Sequence, residues 1–301
     1  MDKAIFVQAH EKDKNVYFSS LSNYLQQKNT ISGDHLVFNS IEERIYKDLD
    51  ILNIIYLPKE LQIMSDELTK DLKSKYDIDK IVHFTKIFNY SNGYDFDINK
   101  YSKLVIKFIN YLYKYKSKNQ LKLIITWNET FLFDKAAIEF AKVENIPYML
   151  FEEGLFRPNT ITVDTKGINY GNSVPNDVQF YKEKIFIKKD NNKQTEKLNS
   201  DKKIFEFPIY YFKELVKDYI NINIKKCELN LELKNKPFIA KINDKFKRFT
   251  YRFEKDEDII LPSNFIFVPF QVHDDSQIIL NSPNIRNMEE MVNHIFSSVN
   301  K

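Results

Sequence analysis

The sequence predicts an α/β fold built on a parallel sheet with both faces covered. Two observations carry this. Strand-like and helix-like segments alternate over roughly the first 180 residues, which is the βαβ rhythm of such a sheet. The longest apolar runs, such as Leu123–Ile125 and Ile259–Leu261, are strand-sized, far short of the ~18 apolar residues of a membrane-spanning helix. A chain of 301 residues, 43% of them hydrophobic, can bury one large core or two medium ones.

In chain order, residues 4–7 read as a short buried strand, followed by Gln8, Ala9 and His10 and a helical pattern through Leu25. Leu36–Phe38, Ile51–Leu57 and Ile81–Phe84 read as further strands, with a weakly helical Asp66–Lys75 among them. Leu104, Val105, Phe108, Ile109 and Leu112 recur at helical spacing and predict an amphipathic helix over about 100–117. Leu121–Thr126 is a strand by its branched residues. Phe133–Glu144 is a helix with Ala136, Ala137, Phe140 and Ala141 on its inner side, ended by Asn145-Ile146-Pro147. Tyr148–Phe151 is the next strand. Residues 1–185 are therefore expected to form one Rossmann-like domain, with its ligand site at the carboxyl ends of the strands. The residues just after Phe151 occupy such an end.

Residues 186–260 are expected to be a linker and helical connection. The stretch 186–203 is rich in Lys, Asn and Asp, as exposed linkers are. From 208 to about 258 the pattern is helical, with Phe238, Ile242, Phe246, Phe249 and Phe253 on one face flanked by Lys241, Lys245, Arg248 and Arg252. That face fits packing on the first domain; its basic flanks would also suit an anionic lipid surface. Phe265–Phe270 then reads as a strand, 271–283 as a polar loop and 287–299 as a helix with Met288, Met291, Val292, Ile295 and Phe296 inward. One strand and one helix cannot close a sheet, so 261–301 reads as the start of a second domain.

Composition narrows the function. Forty-five basic against 42 acidic residues leave a net charge of +3, too balanced for a charge-driven nucleic-acid binder. The single cysteine, Cys227, excludes an internal disulfide and a thiolate-zinc cluster, and fits a reducing compartment. Residues 1–10 lack the pattern of a secretory signal, so a cytoplasmic protein, soluble or on a membrane surface, is expected. Glycine and arginine are scarce at five each, yet 152–173 holds Gly154, Gly167, Gly171 and Arg157.

That segment is the first with the makings of a site. Phe151-Glu152-Glu153-Gly154-Leu155-Phe156-Arg157-Pro158 runs on through Ile161-Thr162-Val163-Asp164 to Gly167-Ile168-Asn169-Tyr170-Gly171-Asn172-Ser173. Two adjacent carboxylates follow a buried strand, glycine permits a sharp exit, and arginine offers a fork for a carboxylate or phosphate. The pair can do acid, base or nucleophilic work if burial separates the two acidities; the same residues also fit an Arg–Glu pair that pins a loop. On a strand the two side chains face opposite ways. The second segment is Pro269-Phe270-Gln271-Val272-His273-Asp274-Asp275-Ser276-Gln277-Ile278, followed by Asn281-Ser282-Pro283. His273 with Asp274 and Asp275 matches no zinc spacing and fits a hydrogen-bonded loop better. Its Gln and Asp side chains suit sugar hydroxyls.

Together, Glu-Glu-Gly-x-x-Arg-Pro, x-Ile-Thr, Gly-x-Asn and Asn-Ser with the later Pro-x-Gln-x-x-x-Asp-Ser-Gln-Ile and Ser-Pro resemble the bacterial capsule polysaccharide biosynthesis/export family. The resemblance spans most of the chain and includes Gln8 after the first strand. It implies a GT-B fold of two Rossmann-like domains, and a retaining β-Kdo transferase that uses CMP-Kdo to build a Kdo linker on a phosphatidylglycerol-type lipid. By the same resemblance, Glu153 or Glu152 does the chemistry. Arg157, Gly154, Asn169, Asn172, Ser173, Gln8, Gln271, Asp275, Ser276 and Gln277 bind substrate. The partners implied are the sugar nucleotide, the glycolipid acceptor, the inner membrane surface and sister capsule-assembly proteins, with no nucleic acid. No cofactor and no metal are implied; neither segment holds an Asp-x-Asp pair of the kind that binds a metal-sugar nucleotide.

One departure stands out. Family members continue with a Lys-x-His-Pro type segment and further donor-domain strands, whereas this sequence has no His-Pro and its last residue is Lys301. On that basis little or no transferase activity is expected of these residues alone, and the alternative is a non-catalytic glycolipid- or partner-binding remnant.

Overall fold

The structure is a computed structural model that describes residues 2–7, 12–154, 160–168, 171–182, 208–234, 265–272 and 275–299, with 239, 243 and 263 as single positions. At its centre is a six-stranded sheet. Its strands are β1 (Lys3–Val7), β2 (Ser32–Val37), β3 (Ile54–Tyr56), β4 (Leu121–Thr126), β5 (Tyr148–Glu153) and β6 (Ile161–Asp164). The spatial order is β3-β2-β1-β4-β5-β6. β1 to β5 run parallel, and β6 folds back antiparallel on β5. In register, Phe6 of β1 pairs with His35 of β2 and Ile125 of β4. This is the Rossmann-like, doubly wound α/β order, whose crevice falls between β1 and β4 where the winding reverses.

Alternation along each strand divides the core into two layers. Ala4, Phe6, Ile125 and Phe151 meet Phe18 of α1 (Lys12–Gln27), beside α2 (Ser40–Asp48). Ile5, Val7 and Ile124 face the opposite layer. Its helices are α3 (Leu57–Gln62), α4 (Lys70–Lys73), α5 (Ile78–Ser91), α6 (Ile98–Lys118) and α7 (Leu132–Val143). Phe108, Phe133 and Phe140 are fully buried there; burial of such a side chain stabilises by about 1.5–3 kcal/mol. Helix starts are set by local chemistry. Asn39 accepts from the Glu42 amide, while the Glu42 carboxylate reaches back to the Phe38 amide, a reciprocal cap. Asp77 and Asp97 cap α5 and α6. His35 is fully buried and stacked 4.6 Å from Phe6; burial holds its imidazole neutral, down to about 3. It serves as a core aromatic.

The expected elements from 100 to 151 are in place within two residues at each end. Others differ. Ile81–Phe84 lies inside α5, not in a strand: Ile81, Phe84, Thr85 and Phe88 are buried at helical spacing, a period that a four-residue window hides. β2 starts at Ser32 because Gly33 lets Ser22 and Phe6 approach; a Cβ on Gly33 would lie 2.4 Å from Ser22 Oγ. β3 is short because Leu57-Pro58 opens α3. Asp66–Lys75 is helical only over α4.

Beyond β6 come α8 (Val178–Lys182), α9 (Pro208–Tyr219) and a π-turn over Ile220–Ile224. The chain then leaves the predicted helix and lies across the sheet's rim. Leu231 is buried in the main core, and the Leu229 amide donates to Pro58 O at 3.0 Å. The predicted amphipathic face at Phe238–Phe253 lies outside the described residues, as do 186–203. Residues 265–270 are not the expected strand but irregular chain, with Phe267 79% exposed, because among the described residues no strand pairs with them. The expected loop at 271–283 contains α10 (Ser276–Asn281). The last helix, α11 (Met288–Val299), forms as expected but its apolar side is not inward: Val292 is exposed and Phe296 is 68% exposed. Among the described residues no helix is long and apolar enough to cross a membrane.

Candidate functional site

The carboxyl ends of β1, β4 and β5 converge on one crest. Strand alternation turns Glu152 to the α7 side with Leu150, and Glu153 to the α1 side with Phe151. Glu152 accepts from the Glu153 amide at 3.0 Å and lies 3.5 Å from Asn128 Nδ2. Glu153 lies 3.9 Å from Lys14 Nζ, which also sits 5.5 Å from the centre of the Trp127 ring. The two glutamates therefore work in different surroundings, one beside an amide and one beside an ammonium.

The end of β4 supplies the floor. Asn128 Oδ1 accepts from the Thr130 amide at 2.7 Å, an Asx turn that directs the chain into α7 with Asp134 in its first turn. Asp134 is fully buried, and among the described residues neither carboxylate oxygen has a hydrogen-bond partner beyond its own amide. Burial pushes its pKa well above the carboxylate range, and the charges of Glu152 and Glu42 push the same way against Lys14. Across the crevice, both amide atoms of Asn15 and the Trp127 Nε1 are also buried without a partner among the described residues. Buried polar groups are ordinarily paired, and each orphan costs about 1–3 kcal/mol. Asn15, Trp127 and Asp134 are three such side chains on the segments that follow β1 and β4, and the buried His35 imidazole and Thr85 hydroxyl are two more elsewhere in the core. The first three offer N–H donors, an amide oxygen and a carboxylic acid, with Lys14 as the cation, a set suited to a hydroxyl-rich, acidic molecule.

The rest of the first motif builds the rim. The Gly154 amide donates to Thr160 O at 2.8 Å, and a Cβ on Gly154 would lie 2.3 Å from Thr160 Oγ1. What glycine admits here is the returning strand. The buried Asp164 accepts from the amides of Lys166 (2.7 Å), Gly167 (3.3 Å) and Ser173 (2.9 Å) and from Ser173 Oγ. These bonds hold its carboxyl down at about 2, against desolvation by burial, which pushes the other way. Ser173 thus gives its amide and hydroxyl to Asp164. Asn172 accepts from the Val174 amide at 2.9 Å. Gln8, Arg157 and Asn169 lie outside the described residues.

The second motif is held elsewhere. Asp275 caps α10 by accepting from the Gln277 amide at 2.8 Å, and accepts from Gln271 Nε2 at 2.8 Å. Ser276 is the first residue of that helix, and the helix rests on α5. His273 and Asp274 lie outside the described residues. Among the described residues no group of three His, Cys, Asp or Glu side chains is placed to hold a metal.

Lys14, Asn15, Trp127 and Asp134 were not singled out in the sequence. The signal for them was there: they follow β1 and β4, the two strands that flank the winding reversal. The carboxyl-end rule, applied to every strand and not to β5 alone, finds them.

The fold is that of a Rossmann-like α/β protein, with the two glutamates of the first motif at the carboxyl edge of its sheet. The family model of capsule polysaccharide biosynthesis proteins matches residues 122–301, from β4 through both motifs, and the chain belongs to that family. It is similar to the capsule polysaccharide export protein KpsS of Escherichia coli, with 44% identity over 48 residues. That stretch is 16% of this chain and 12% of the relative, so the match spans a small part of the relative's length. No solved structure matches the chain.

Proposed function

We propose that this protein acts in capsular polysaccharide biosynthesis as a glycosyltransferase that moves Kdo from CMP-Kdo to a phosphatidylglycerol-type lipid or a Kdo-lipid acceptor. The observation that carries the reading is the crest, where Glu152 and Glu153 end β5 beside the orphaned, buried Asn15, Trp127 Nε1 and Asp134. Transfer breaks the bond from Kdo C2 to the CMP phosphate and makes one from C2 to an acceptor hydroxyl, whose proton must leave. Glu153 or Glu152 serves as base or nucleophile. Lys14, with Arg157 by resemblance, meets a phosphate or carboxylate. Gly154, Asn169, Asn172, Ser173 and Gln8 belong to the acceptor side. Gln271, Asp275, Ser276 and Gln277 belong to the donor side of a GT-B cleft. The work is done in the cytoplasm at the inner membrane face.

A second reading, a glycolipid- or partner-binding member without turnover, draws on the exposed apolar residues at Phe265, Phe267, Phe270 and Phe296. One experiment separates the two. Trp127 is the only tryptophan and lies 5.5 Å from Lys14 Nζ, so its fluorescence reports changes beside the crest. The protein is mixed with CMP-Kdo and phosphatidylglycerol vesicles, and released CMP, Kdo-lipid mass and Trp127 emission are followed. Transfer that falls at least a hundredfold in Glu153→Gln or Glu152→Gln supports the transferase. An emission change without transfer supports the binder. Neither signal, or transfer unmoved by both substitutions, rejects the assignment of the crest.

A further inference from the structure

Residues 215–233 cross the ends of β2 and β3 as a strap and enclose a cavity of about 180 Å³ against Phe38, Tyr56 and Pro58. Two kinds of tie hold the strap. Those at its far end are neutral. The Leu229 amide donates to Pro58 O at 3.0 Å, and Leu231 is buried in the core. Leu233 O accepts from Asn89 Nδ2 at 2.8 Å and from the Tyr101 hydroxyl at 3.0 Å. The ties at its near end run through carboxylates. The Ser40 amide donates to both oxygens of Asp218 at 3.3 Å. The Tyr56 hydroxyl lies 2.8 Å from Glu228 Oε2 and 3.3 Å from Asp218 Oδ1.

Hydrogens counted at Tyr56 show what the near end requires. A phenol has one hydrogen to give, and the 2.8 Å contact to Glu228 takes it. Glu228 also accepts from Asn221 Nδ2 at 3.0 Å and lies 3.9 Å from Lys59 Nζ. The Tyr56 oxygen and Asp218 Oδ1 then face each other at 3.3 Å, two acceptors with no hydrogen between them. The Ser40 hydroxyl, 3.3 Å from Tyr56, puts none on that line. A proton on Asp218 completes the chain: Asp218 donates to Tyr56, and Tyr56 donates to Glu228. The surrounding charges are named by element. α2 brings Glu42, held by Asn39 and the Phe38 amide, and Glu43, held by Lys47. α3 brings Lys59, and the strap and α9 bring Glu214, Lys217, Glu228 and Glu232. Lys217 lies 3.6 Å from Glu43 and from Glu214. Burial raises the pKa of Asp218 and the charge of Glu228 adds to it, against the bonds from Ser40 and Tyr56.

We propose that the strap is a proton latch: it closes over the β2/β3 rim with one proton held between Asp218 and Glu228 through Tyr56, and its Asp218 end lets go as that proton leaves. The closed state binds a proton that the open state releases, so rising pH opens the latch, by at most about tenfold per pH unit for one proton. Opening uncovers Phe38 and Tyr56 on the cavity wall while Leu229–Leu233 stay in place. The proposal goes beyond the transferase reading and does not rest on it.

The strap carries its own reporter position, because Cys227 is the single cysteine and is exposed. The whole chain is labelled there with a trifluoromethyl reagent, and its ¹⁹F spectrum is read at pH 5 and pH 8. Amide exchange at Ser40 and Leu229, corrected for the intrinsic effect of pH, is followed beside it. A second ¹⁹F signal is expected to grow about tenfold or more relative to the first between the two pH values. The Ser40 amide is expected to lose protection while Leu229 keeps it. Trp127, buried in the α1 layer, is expected to keep its emission, which separates latch opening from unfolding of the sheet. Asp218→Asn, whose NH₂ donates to Tyr56 as the proton does, is expected to cut the pH response to less than about twofold. If that variant does not fold, Glu228→Gln is read in its place, with a loss of response of about threefold or more expected. Glu42→Gln is expected to retain the response, since Glu42 bonds to Asn39 and Phe38 and not to the strap. The proposal is overturned if neither the label nor the Ser40 amide responds to pH, or if the response survives the substitution at Asp218 or Glu228. It is also overturned if Glu42→Gln abolishes the response, or if Leu229 or Trp127 changes together with Ser40.

Discussion

Asp164 and Asp275 carry the same side chain, each at the hub of one motif, and are built into the molecule by different means. Asp164 is buried at the end of β6 and takes four hydrogen bonds from Lys166, Gly167 and Ser173. Asp275 is half-exposed, caps a six-residue helix and takes a bond from one amide and one from Gln271. The first hub is tied through β6 to a six-stranded sheet, the second to the outer surface of α5. The difference teaches that the two motifs have unequal local stability. The first shares the global unfolding of the domain, and the second can open alone.

The largest consequence concerns Asp164→Ala. It strands three backbone amides and the Ser173 hydroxyl, each of which needs a partner. A loss of about 2–4 kcal/mol is expected in urea unfolding, with the slope of the transition unchanged. A loss below about 0.5 kcal/mol would show that water replaces the carboxylate and would erase the contrast with Asp275.

Next in size is a test of where the first motif stores its rigidity. Gly154→Ala drives a Cβ to within 2.7 Å of the Thr160 backbone, whereas a Cβ on Gly171 meets nothing within 4 Å. The β5–β6 hairpin must part in the first variant and not in the second. A destabilisation of about 1–3 kcal/mol is expected for Gly154→Ala, and a change within about 0.5 kcal/mol for Gly171→Ala. Equal effects would place the rigidity in the loop in place of the hairpin.

Much of the sheet was legible before the structure, and the reason is length. β4, α7 and β5 are bounded by Leu121, by Asn145-Ile146-Pro147 and by the acidic exit at Glu152, and α6 shows its period over 21 residues. Short windows failed where two periods coincide, as at Ile81–Phe84, or where pairing decides, as at 265–270. The opposed directions of Glu152 and Glu153 followed from strand geometry alone. The orphaned atoms of Asn15, Trp127 and Asp134 did not, because lack of a partner is a property of the packed molecule. Nor did the cavity beside Tyr56, whose far wall comes from residues more than 150 positions later.

Proton linkage extends the contrast to the carboxylates of the crest. Asp164 has its pKa held below the ordinary value, so its stabilisation is present above about pH 4 and is lost as pH falls toward 2. Glu42 is raised to about 7 by burial, and Asp134 is raised by burial as well. For these two the folded state binds protons that the unfolded chain releases, so stability falls as pH rises from about 4.5 through 7. Stability should therefore peak near pH 4 and decline toward pH 8, read as a falling melting temperature. Glu42→Gln should flatten that decline, since its amide still accepts from Phe38 and carries no charge to desolvate. An unchanged slope in the variant would remove Glu42 from the account and leave Asp134 as its source.

The smallest expected effect belongs to Asp275→Ala, and its smallness is informative. A helix cap is ordinarily worth about 0.5–2 kcal/mol, but α10 has only six residues and most of the chain beside it is exposed. Loss of the cap should therefore fray Ser276–Asn281 while the sheet stays closed. Amide exchange at Gln277, Ile278 and Ile279 should accelerate severalfold, with urea unfolding of the whole chain shifted by less than about 0.5 kcal/mol. If global stability instead drops as far as in Asp164→Ala, α10 is part of the same cooperative unit as the sheet. The contact between α10 and α5 would then be a structural joint between the two motifs, and both would have to be treated as one site.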